Sequence, residues 1–361
     1  MRLTTTSAVG VEELDSMMTS ATRVLKGGGI VCFPTDTVYG LAVSAEQPQA
    51  VKRLYQAKQR EHDKPLVLFP PAHTDLVHFT KRLPAIAVKL IGRFWPGPLT
   101  IVLPSAIEQP LCLVGTTGGL GTRIPDHPVA QALAKNHGLF LATTSANLSG
   151  HPPVTQAGEL PRQLKAQIDM IIDTGQTPSG TISTVVEIHG KNLRVLRSGA
   201  VDESDISAAA REPLSILFVC TANLCRSIIA ELMLTQIIEA RNESCRVESA
   251  GTCVFRPTTP SQVVHTTLKQ QGITTMPPMA KPVTASLVRS SDLILVMEMR
   301  HKKQILDRFP QAQHKVWLLR EFTRGKQEDI VDPISFSHSS YTQAVADLEK
   351  EVSTLTECIF G

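Results

Sequence analysis

A cysteine and an arginine six positions apart follow directly after an apolar run in the second half of the chain. Residues 216–233 read ILFVCTANLCRSIIAELM, with Cys220 and Arg226 on either side of a short loop. A strand that leads into a helix places the free N–H groups of the helix at the edge of a sheet, where anions bind. That positive end favours the thiolate form of Cys220, and Arg226 can hold two phosphate oxygens bidentately. The spacing therefore predicts a nucleophilic cysteine that attacks a bound phosphoryl group.

Two polar segments in the first half of the chain carry a different pattern. AKQREHDKPL, residues 57–66, places Lys58, Arg60 and Lys64 within seven residues, beside a strand bounded by proline. Three cations this close indicate a polyphosphate or carboxylate site, although the solvated end of a helix gives the same pattern. TTSANLSG, residues 143–150, brings hydroxyls and an amide to the end of an apolar strand, where ligands commonly bind. These segments predict an anion site in the first half.

Other signatures of nucleotide or metal sites are missing from the sequence. The chain contains neither GxxxxGK[ST] nor GxGxxG, so KGGG at residues 26–29 is interpreted as a turn. Its histidines and cysteines lack zinc-site spacing. We therefore expect no resident metal and no permanently bound cofactor.

The composition narrows the class of protein. With 361 residues, 42% of them hydrophobic and 19% charged, the chain has apolar material for two globular domains. A net charge of +3 gives little general attraction for nucleic acid, so RNA binding would need a local patch. The seven cysteines are scattered and odd in number, and no stretch resembles a signal peptide or a membrane span. We expect a cytoplasmic protein without a membrane partner.

Alternating strand and helix patterns predict two α/β domains. We place the first at residues 8–205, the second at 214–361 and a linker at 206–213, because SGAVDESDISAAAREPLS (198–215) interrupts the pattern. First-domain strands are predicted at two places within 26–43 and at 63–69, 99–104, 139–146, 170–175, 183–188 and 193–199. Second-domain strands are predicted at 214–219, 246–251, 292–298 and 315–319, with intervening helices and a final helix at 340–360. The second domain is thus expected to have a parallel sheet.

From residue 214 onward the chain resembles the low-molecular-weight protein-tyrosine-phosphatase family, whose loop reads Cys-x-Gly-Asn-x-Cys-Arg-Ser. The matching residues are Cys220, Thr221, Ala222, Asn223, Leu224, Cys225, Arg226 and Ser227. ESAGT (248–252), SSDLILVME (290–298) and EDIVDP (328–333) extend the resemblance. Ala222 stands where the family usually has Gly, and Ile228 where Pro usually starts the helix. A positive φ at Ala222 would cost about 1–2 kcal/mol.

The resemblance implies a doubly wound parallel sheet and hydrolysis of a phosphoprotein in two steps. Cys220 would take the phosphoryl group while Arg226 binds its oxygens. Asp332, on a loop, would protonate the leaving oxygen and then activate water. Ser227 would stabilise the thiolate, and Asn223 would hold the loop in its turn.

The same family includes arsenate reductases and arginine phosphatases, which leaves the substrate open. An arsenate reductase needs a further cysteine pair, and residues 259–357 contain no cysteine. Arginine phosphatases carry a small polar residue at the position of Leu224. A bulky apolar side chain there favours an aryl substrate, so phosphotyrosine is preferred over phosphoarginine.

The first half resembles the YrdC-like threonylcarbamoyl-AMP synthase family, which has a Lys-x-Arg motif and a distant Ser-x-Asn motif. The matching residues are Lys58, Arg60, Ser145 and Asn147. PTDTVYGLAV (34–43), FWPGPLT (94–100), GTRIPDHP (121–128), ISTVVE (182–187) and VLRSGA (195–200) extend the resemblance. Glu61 stands where the family often has Pro. The resemblance implies a twisted mixed-sheet α/β domain.

The implied reaction condenses threonine with bicarbonate and adenylates the carbamate with ATP, which brings its own Mg²⁺ and releases pyrophosphate. The ATP-binding residues would be Lys58, Arg60, Ser145, Asn147 and Arg197. The threonine-binding residues would be Thr35, Arg123 and Thr143, with Arg123 pairing the carboxylate. The product would pass to tRNA-modifying machinery. As an alternative, the first domain is an RNA- or nucleotide-binding module that makes no adenylate and is joined to an active phosphatase.

Overall fold

The computed structural model describes residues 2–4, 11–107, 112–137, 140–332 and 338–361. The chain divides into two compact units, Met1–Lys81 with Phe94–Ser207 and Arg82–Arg93 with Ala208–Gly361. Within the described ranges, no helix is long and apolar enough to cross a membrane. The segment predicted as a linker is largely helical, since a helix spans Glu203–Arg211.

The first unit is built on a sheet of ten strands, which is mixed, as predicted. Its strands are β1 (Arg2–Thr4), β2 (Val31–Phe33), β3 (Gly40–Ser44), β4 (Val67–Phe69), β5 (Leu99–Pro104), β6 (Gly119–Thr122), β7 (Leu141–Ser145), β8 (Met170–Asp173), β9 (Thr184–His189) and β10 (Asn192–Arg197). Their order across the sheet is β1-β8-β2-β3-β7-β4-β6-β5-β9-β10. Because side chains alternate along a strand, Val31 and Phe33 join the apolar cluster on one face and Cys32 joins the cluster on the other.

Helices in the chain up to residue 211 are α1 (Val11–Lys26), α2 (Pro48–Lys58), α3 (Leu76–Phe79), α4 (Ala85–Phe94), α5 (Pro128–His137), α6 (Arg162–Lys165) and α7 (Glu203–Arg211). The bounds of α2 matter most for function. Pro48 begins the first turn of the helix, and Gln59, with a left-handed φ of 53°, ends the helix. Lys58 therefore occupies the last turn and Arg60 the loop that follows.

The second unit contains a four-stranded sheet whose strands are all parallel, as predicted. Its strands are β11 (Leu214–Cys220), β12 (Cys245–Gly251), β13 (Leu293–Val296) and β14 (Val316–Leu318), in the order β12-β11-β13-β14. The helices that follow are α8 (Arg226–Ala240), α9 (Gln262–Gln270), α10 (Ala285–Ser290), α11 (Met299–Arg308), α12 (Leu319–Arg324) and α13 (His338–Phe360). All seven residues of β11 are buried. The strand order reverses direction beside β11, and ligands bind at the carboxyl edge of such a switch point.

The sequence did not predict every element. Strand β6 was missed because its sequence, GLGT, has the composition of a turn. The structure explains why position 119 is a glycine, since a Cβ there would lie 2.7 Å from Val102 Cγ1 on the neighbouring strand. The short helices α10 and α12 were also missed, because fewer than two turns give no clear period.

Candidate active sites

The cysteine loop of the second unit begins at the last residue of β11. Cys220 Sγ lies 3.0 Å from Ser227 Oγ, and both side chains are buried. Asn223 Nδ2 donates to the same Ser227 oxygen at 3.0 Å. A thiolate at Cys220 has no hydrogen to donate, so the hydroxyl of Ser227, whose oxygen accepts from Asn223, would donate to the sulfur. Ser227 is thus placed to stabilise a thiolate on Cys220.

Asn223 holds the turn of the loop. It adopts a left-handed φ of 53°, which Asn tolerates better than most residues. Its Nδ2 also donates to Ser249 Oγ at 2.7 Å, and its Oδ1 accepts from the backbone N–H of Lys281 at 2.9 Å. Ala222 is not among the described residues with positive φ, so the strain considered for it does not arise.

The backbone after Cys220 turns its N–H groups in one direction. The carbonyl of Cys220 accepts from Thr252 N at 3.0 Å, and the carbonyl of Thr221 accepts from Cys253 N at 2.9 Å. In a trans peptide the C=O and the next N–H point in opposite directions. The N–H groups of Thr221 and Ala222 therefore both point away from that segment, and successive N–H groups on one side form an anion-binding concavity.

Arg226 is buried and held by acceptors from distant parts of the second unit. Its Nη1 donates to Glu298 Oε1 and to the carbonyl of Ile330, each at 2.6 Å, and its Nη2 donates to Asp332 Oδ2 at 2.7 Å. Because a guanidinium has five N–H groups, these contacts leave Nε and one Nη2 hydrogen for an anion. Glu298 was not singled out from the sequence, but an acid at the end of an apolar strand was a usable signal.

The structure brings the predicted phosphatase residues together. Asp332, about a third exposed, reaches the loop through its ion pair with Arg226. Leu224 is partly buried, and Cys225 is the buried residue that precedes α8, whose first turn closes with Ile229 N donating to Cys225 O at 2.9 Å. A thiol, a hydroxyl, a guanidinium and a carboxylic acid thus surround one loop of backbone N–H groups.

A cavity of about 120 Å³ lies in the first unit. Its lining residues include Thr35, Thr37, Arg60, Thr100, Arg123, Thr143, Thr144, Ser145, Ser183 and Arg197. Three of these are arginines, and none of the described lining residues is acidic. The cavity is therefore suited to an anion.

Arg60 and Arg197 are oriented by backbone carbonyls rather than by acids. Arg60 donates to Lys64 O at 3.1 Å and to Pro65 O at 3.0 Å. Arg197 donates from Nη2 to Ser183 O at 2.8 Å and to Ser183 Oγ at 3.0 Å. Burial, and secondarily the charge of Arg60, lowers the pKa of Arg197. An incoming anion would relieve this repulsion.

Arg123 lines the cavity with a carboxylate behind it. It donates from Nη2 to Asp36 Oδ1, from Nη1 to Thr37 Oγ1 at 3.1 Å and from Nε to the Gly97 carbonyl at 2.9 Å. Burial raises the pKa of Asp36, an effect that Arg123 opposes. Asp36 and Thr37 belong to the PTDTVYGLAV segment but were not themselves predicted.

Thr35 and Thr143 present their hydroxyls differently from each other. Thr143 Oγ1 donates to Val67 O at 2.8 Å, so it offers lone pairs to the cavity. Thr35 Oγ1 donates to Val38 O at 2.7 Å and accepts from the N–H groups of Thr37 and Val38 at 3.1 and 3.2 Å. Thr143 can therefore accept from a ligand, whereas Thr35 mainly holds its own turn.

Lys58 does not line the cavity with Arg60. Its buried ammonium donates to Ser145 O, to Asn147 O at 2.9 Å and to Asn147 Oδ1 at 2.9 Å. Asn147 Oδ1 also accepts from Ser145 Oγ at 2.6 Å. Burial lowers the pKa of Lys58 to about 7. The structure thus joins the two predicted motifs, with Lys58 fixing the turn that presents Ser145 to the cavity.

The site in the second unit has the parts of a cysteine-dependent phosphatase, and that in the first unit has the parts of a small-anion site. Comparison with known proteins defines both more closely. The family model described as Telomere recombination (Sua5, YciO, YrdC) matches residues 23–199, and that of low molecular weight phosphotyrosine protein phosphatase matches residues 215–359.

Relatives of the first half are threonylcarbamoyl-AMP synthases. The Bacillus subtilis enzyme is 39% identical over 197 residues, which are 54% of this chain and 56% of that protein. A putative threonylcarbamoyl-AMP synthase of Mycobacterium tuberculosis is 36% identical over 208 residues, 57% of this chain and 95% of that protein. The solved structure of a Pyrococcus abyssi Sua5 variant is 25% identical with a TM-score of 0.53, and the match covers 76% of this chain and 89% of that one.

The chain belongs to the Sua5/YrdC family of threonylcarbamoyl-AMP synthases through its first half and carries a low-molecular-weight phosphotyrosine phosphatase domain in its second. It spans only about half the length of the Bacillus subtilis relative, with 56% of that protein covered.

Proposed function

We propose that the first unit makes threonylcarbamoyl-AMP from threonine, bicarbonate and ATP. The observation that carries this proposal is the cavity lined by Arg60, Arg123 and Arg197 without an acidic lining residue among those described. Threonine and bicarbonate form a carbamate with loss of water, an oxygen of the carbamate attacks the α-phosphorus of ATP, and pyrophosphate leaves. Arginine side chains stabilise the charge that builds up on the leaving group.

The geometry suggests a division of roles within the cavity. Arg60 and Arg197 line the cavity and, within the described part of the chain, make no hydrogen bond to a carboxylate; they would bind the phosphates, while Mg²⁺ would arrive with ATP. Arg123, with Asp36 behind it, would pair the threonine carboxylate. Thr143, which offers lone pairs, would accept from the threonine amine. Lys58 and Asn147 would act by holding the Ser145 turn.

The test is pyrophosphate release with each substrate omitted in turn. We expect release only when ATP, threonine and bicarbonate are all present. If the folded protein releases none yet binds nucleotide or RNA, the first unit is a binding module, which is the second candidate function. The product would supply tRNA-modifying machinery in the cytoplasm.

We propose that the second unit hydrolyses phosphate monoesters through Cys220. The thiolate attacks phosphorus and forms a thiophosphate, while Asp332 gives its proton to the leaving oxygen. Asp332 then takes a proton from water as that water attacks the phosphocysteine, which releases inorganic phosphate and restores the thiolate. Arg226 would bind the phosphoryl oxygens, with Glu298 holding it from behind.

The preferred substrate would be phosphotyrosine rather than phosphoarginine. Leu224 places an apolar side chain within the loop. Phe255 is 95% exposed and lies two residues after Cys253, whose N–H bonds to the loop at Thr221. An exposed aromatic ring beside the loop suits stacking against an aryl group.

Matched phosphopeptides test this preference. One peptide sequence is prepared with phosphotyrosine or with phosphoarginine, and phosphate release is measured for each. We expect a higher kcat/KM for phosphotyrosine and a loss of that advantage in Leu224→Thr. A higher kcat/KM for phosphoarginine in the wild type would overturn the assignment.

A further inference from the structure

A buried histidine stands behind the cysteine loop without a part in the chemistry described above. His301 lies in the first turn of α11 and is fully buried. Its Nε2 is 2.8 Å from Thr221 Oγ1, so it reaches the residue that follows the nucleophile. Burying a polar imidazole costs free energy, so a buried histidine is expected to have a structural or functional role.

The surroundings of His301 link it to the anion-binding groups. Glu298 Oε1, which accepts from Arg226, lies 3.8 Å from His301 Nε2. Arg300 Nη2 donates to the same Thr221 hydroxyl at 3.2 Å and to Glu298 at 2.9 Å. The first turn of α11 therefore contacts both Thr221 and, through Glu298, Arg226.

The hydrogen on the imidazole can be placed. Burial lowers the pKa of His301 to about 4, so the ring is neutral at physiological pH. Its Nδ1 is buried without a hydrogen-bond partner in the described part of the chain. An N–H at that position would be an unsatisfied buried donor, and Glu298 attracts a hydrogen on Nε2. His301 thus donates from Nε2 to Thr221 Oγ1.

We propose that His301 is a positioning residue that fixes Thr221, and through it the anion-binding N–H groups of the loop. Three contacts restrain Thr221: Cys253 N holds its carbonyl, His301 holds its side chain at 2.8 Å, and Arg300 holds the same hydroxyl at the longer distance of 3.2 Å. Together these contacts fix the peptide planes on both sides of Thr221. The N–H groups of those two planes face the position that a bound anion would occupy. Loss of the His301 contact would let these N–H groups rotate away from the position of the phosphoryl oxygens.

The test is a double-mutant cycle on the full chain. Since the side chains contact each other directly, His301→Asn and Thr221→Val should each lower kcat for an aryl phosphate about 10-fold, and the double variant should lose little more than either single variant. Gln places an amide nitrogen near the position of Nε2, whereas Asn does not. His301→Gln should therefore recover most of the loss. His265→Asn, a histidine substitution on α9, serves as the matched control and should leave kcat unchanged.

Affinity for inorganic phosphate gives a second readout that does not depend on turnover. The inference rests on the proposed phosphatase site. Phosphate affinity distinguishes a failure of the inference from a failure of the proposed function. If the wild type binds phosphate but hydrolyses no aryl phosphate, the proposed function fails, and weaker phosphate binding in His301→Asn and Thr221→Val still supports the inference. Multiplying losses in the double variant, or equal behaviour of His301→Asn and His301→Gln, would overturn it.

Discussion

In the first unit Arg60 and Arg197 are held by backbone carbonyls, whereas in the second unit Arg226 is held by the carboxylates of Glu298 and Asp332. The first arrangement gives Arg60 and Arg197 no hydrogen bond to a carboxylate among the described residues, which suits a polyanion such as ATP. The second arrangement pairs its cation with two carboxylates and leaves Nε and one Nη2 hydrogen of Arg226 for an anion. The two units therefore orient their arginines with different acceptors, carbonyl oxygens in the first unit and carboxylates in the second.

The sharpest way to separate the two sites is to remove the nucleophile of one. Cys220→Ser should lower aryl-phosphate hydrolysis by about 10⁴-fold or more, because the hydroxyl replaces the thiolate that attacks phosphorus. Pyrophosphate release by the first unit should be unaffected. Cys253→Ser, at an exposed cysteine of the same unit, is the control. Residual hydrolysis within 10-fold of the wild type would exclude Cys220 as the nucleophile.

Replacement of Asp332, one of the two acids that pair with Arg226, should give the next largest effect. Asp332→Asn should lower kcat for phenyl phosphate by about 10²–10³-fold, since an amide cannot protonate the leaving oxygen. The loss should be much smaller for p-nitrophenyl phosphate, whose leaving group needs less protonation. Steady-state kinetics with both substrates measure this, and Asp307→Asn on α11 is the control. An equal loss for both esters would mean that Asp332 only positions Arg226.

Removing one cation from the cavity tests the other half of the comparison. Arg60→Ala and Arg197→Ala should each lower adenylate formation 10-fold or more, about 1.4 kcal/mol of transition-state stabilisation, with phosphatase activity intact. Arg53→Ala, an arginine of α2 that pairs Asp169 at the surface, should have little effect. If both activities of a folded Arg60→Ala protein fall together, the two sites are coupled and the comparison fails.

The smallest expected effect is on the acid stability of the second unit. With its pKa lowered to about 4 from 6.5, His301 stays neutral in the folded protein while the unfolded chain is protonated. Unfolding therefore takes up a proton between pH 6.5 and pH 4, and stability falls as the pH falls through this window. The protection factors of β11 peptides, which correct hydrogen exchange for its intrinsic pH dependence, should fall more in the wild type than in His301→Gln on acidification. An equal fall in the two proteins would contradict the buried neutral ring.

The two sites differed in how much of them the sequence could predict. The cysteine loop is one contiguous segment from Cys220 to Ser227, so its residue types and spacing already specify an anion site. Glu298 and His301, which hold it, lie about 70 to 80 positions further along the chain and are brought near only by the parallel sheet. Sequence patterns carry periods within elements and not such tertiary pairings.

The cavity was predictable only in part, because its residues come from many strands. The motifs supplied Arg60, Arg123 and Arg197, but not the direction in which Lys58 points, which depends on the carbonyls at and just after the end of β7. Ser183, which orients Arg197, carried no signal beyond its place in the ISTVVE segment. Small hydroxyl residues are common throughout the chain, so their roles emerge only from the folded contacts.

The central claim is that the first unit adenylates a carbamate of threonine, and isotope tracing of its product tests this most directly. The protein is incubated with ATP, threonine and ¹³C-bicarbonate, and the adenylates are analysed by mass spectrometry. We predict an adenylate that contains both threonine and the heavy carbon, with pyrophosphate as the co-product. Formation of unlabelled threonyl-AMP, or of no adenylate by the folded protein, would contradict the claim.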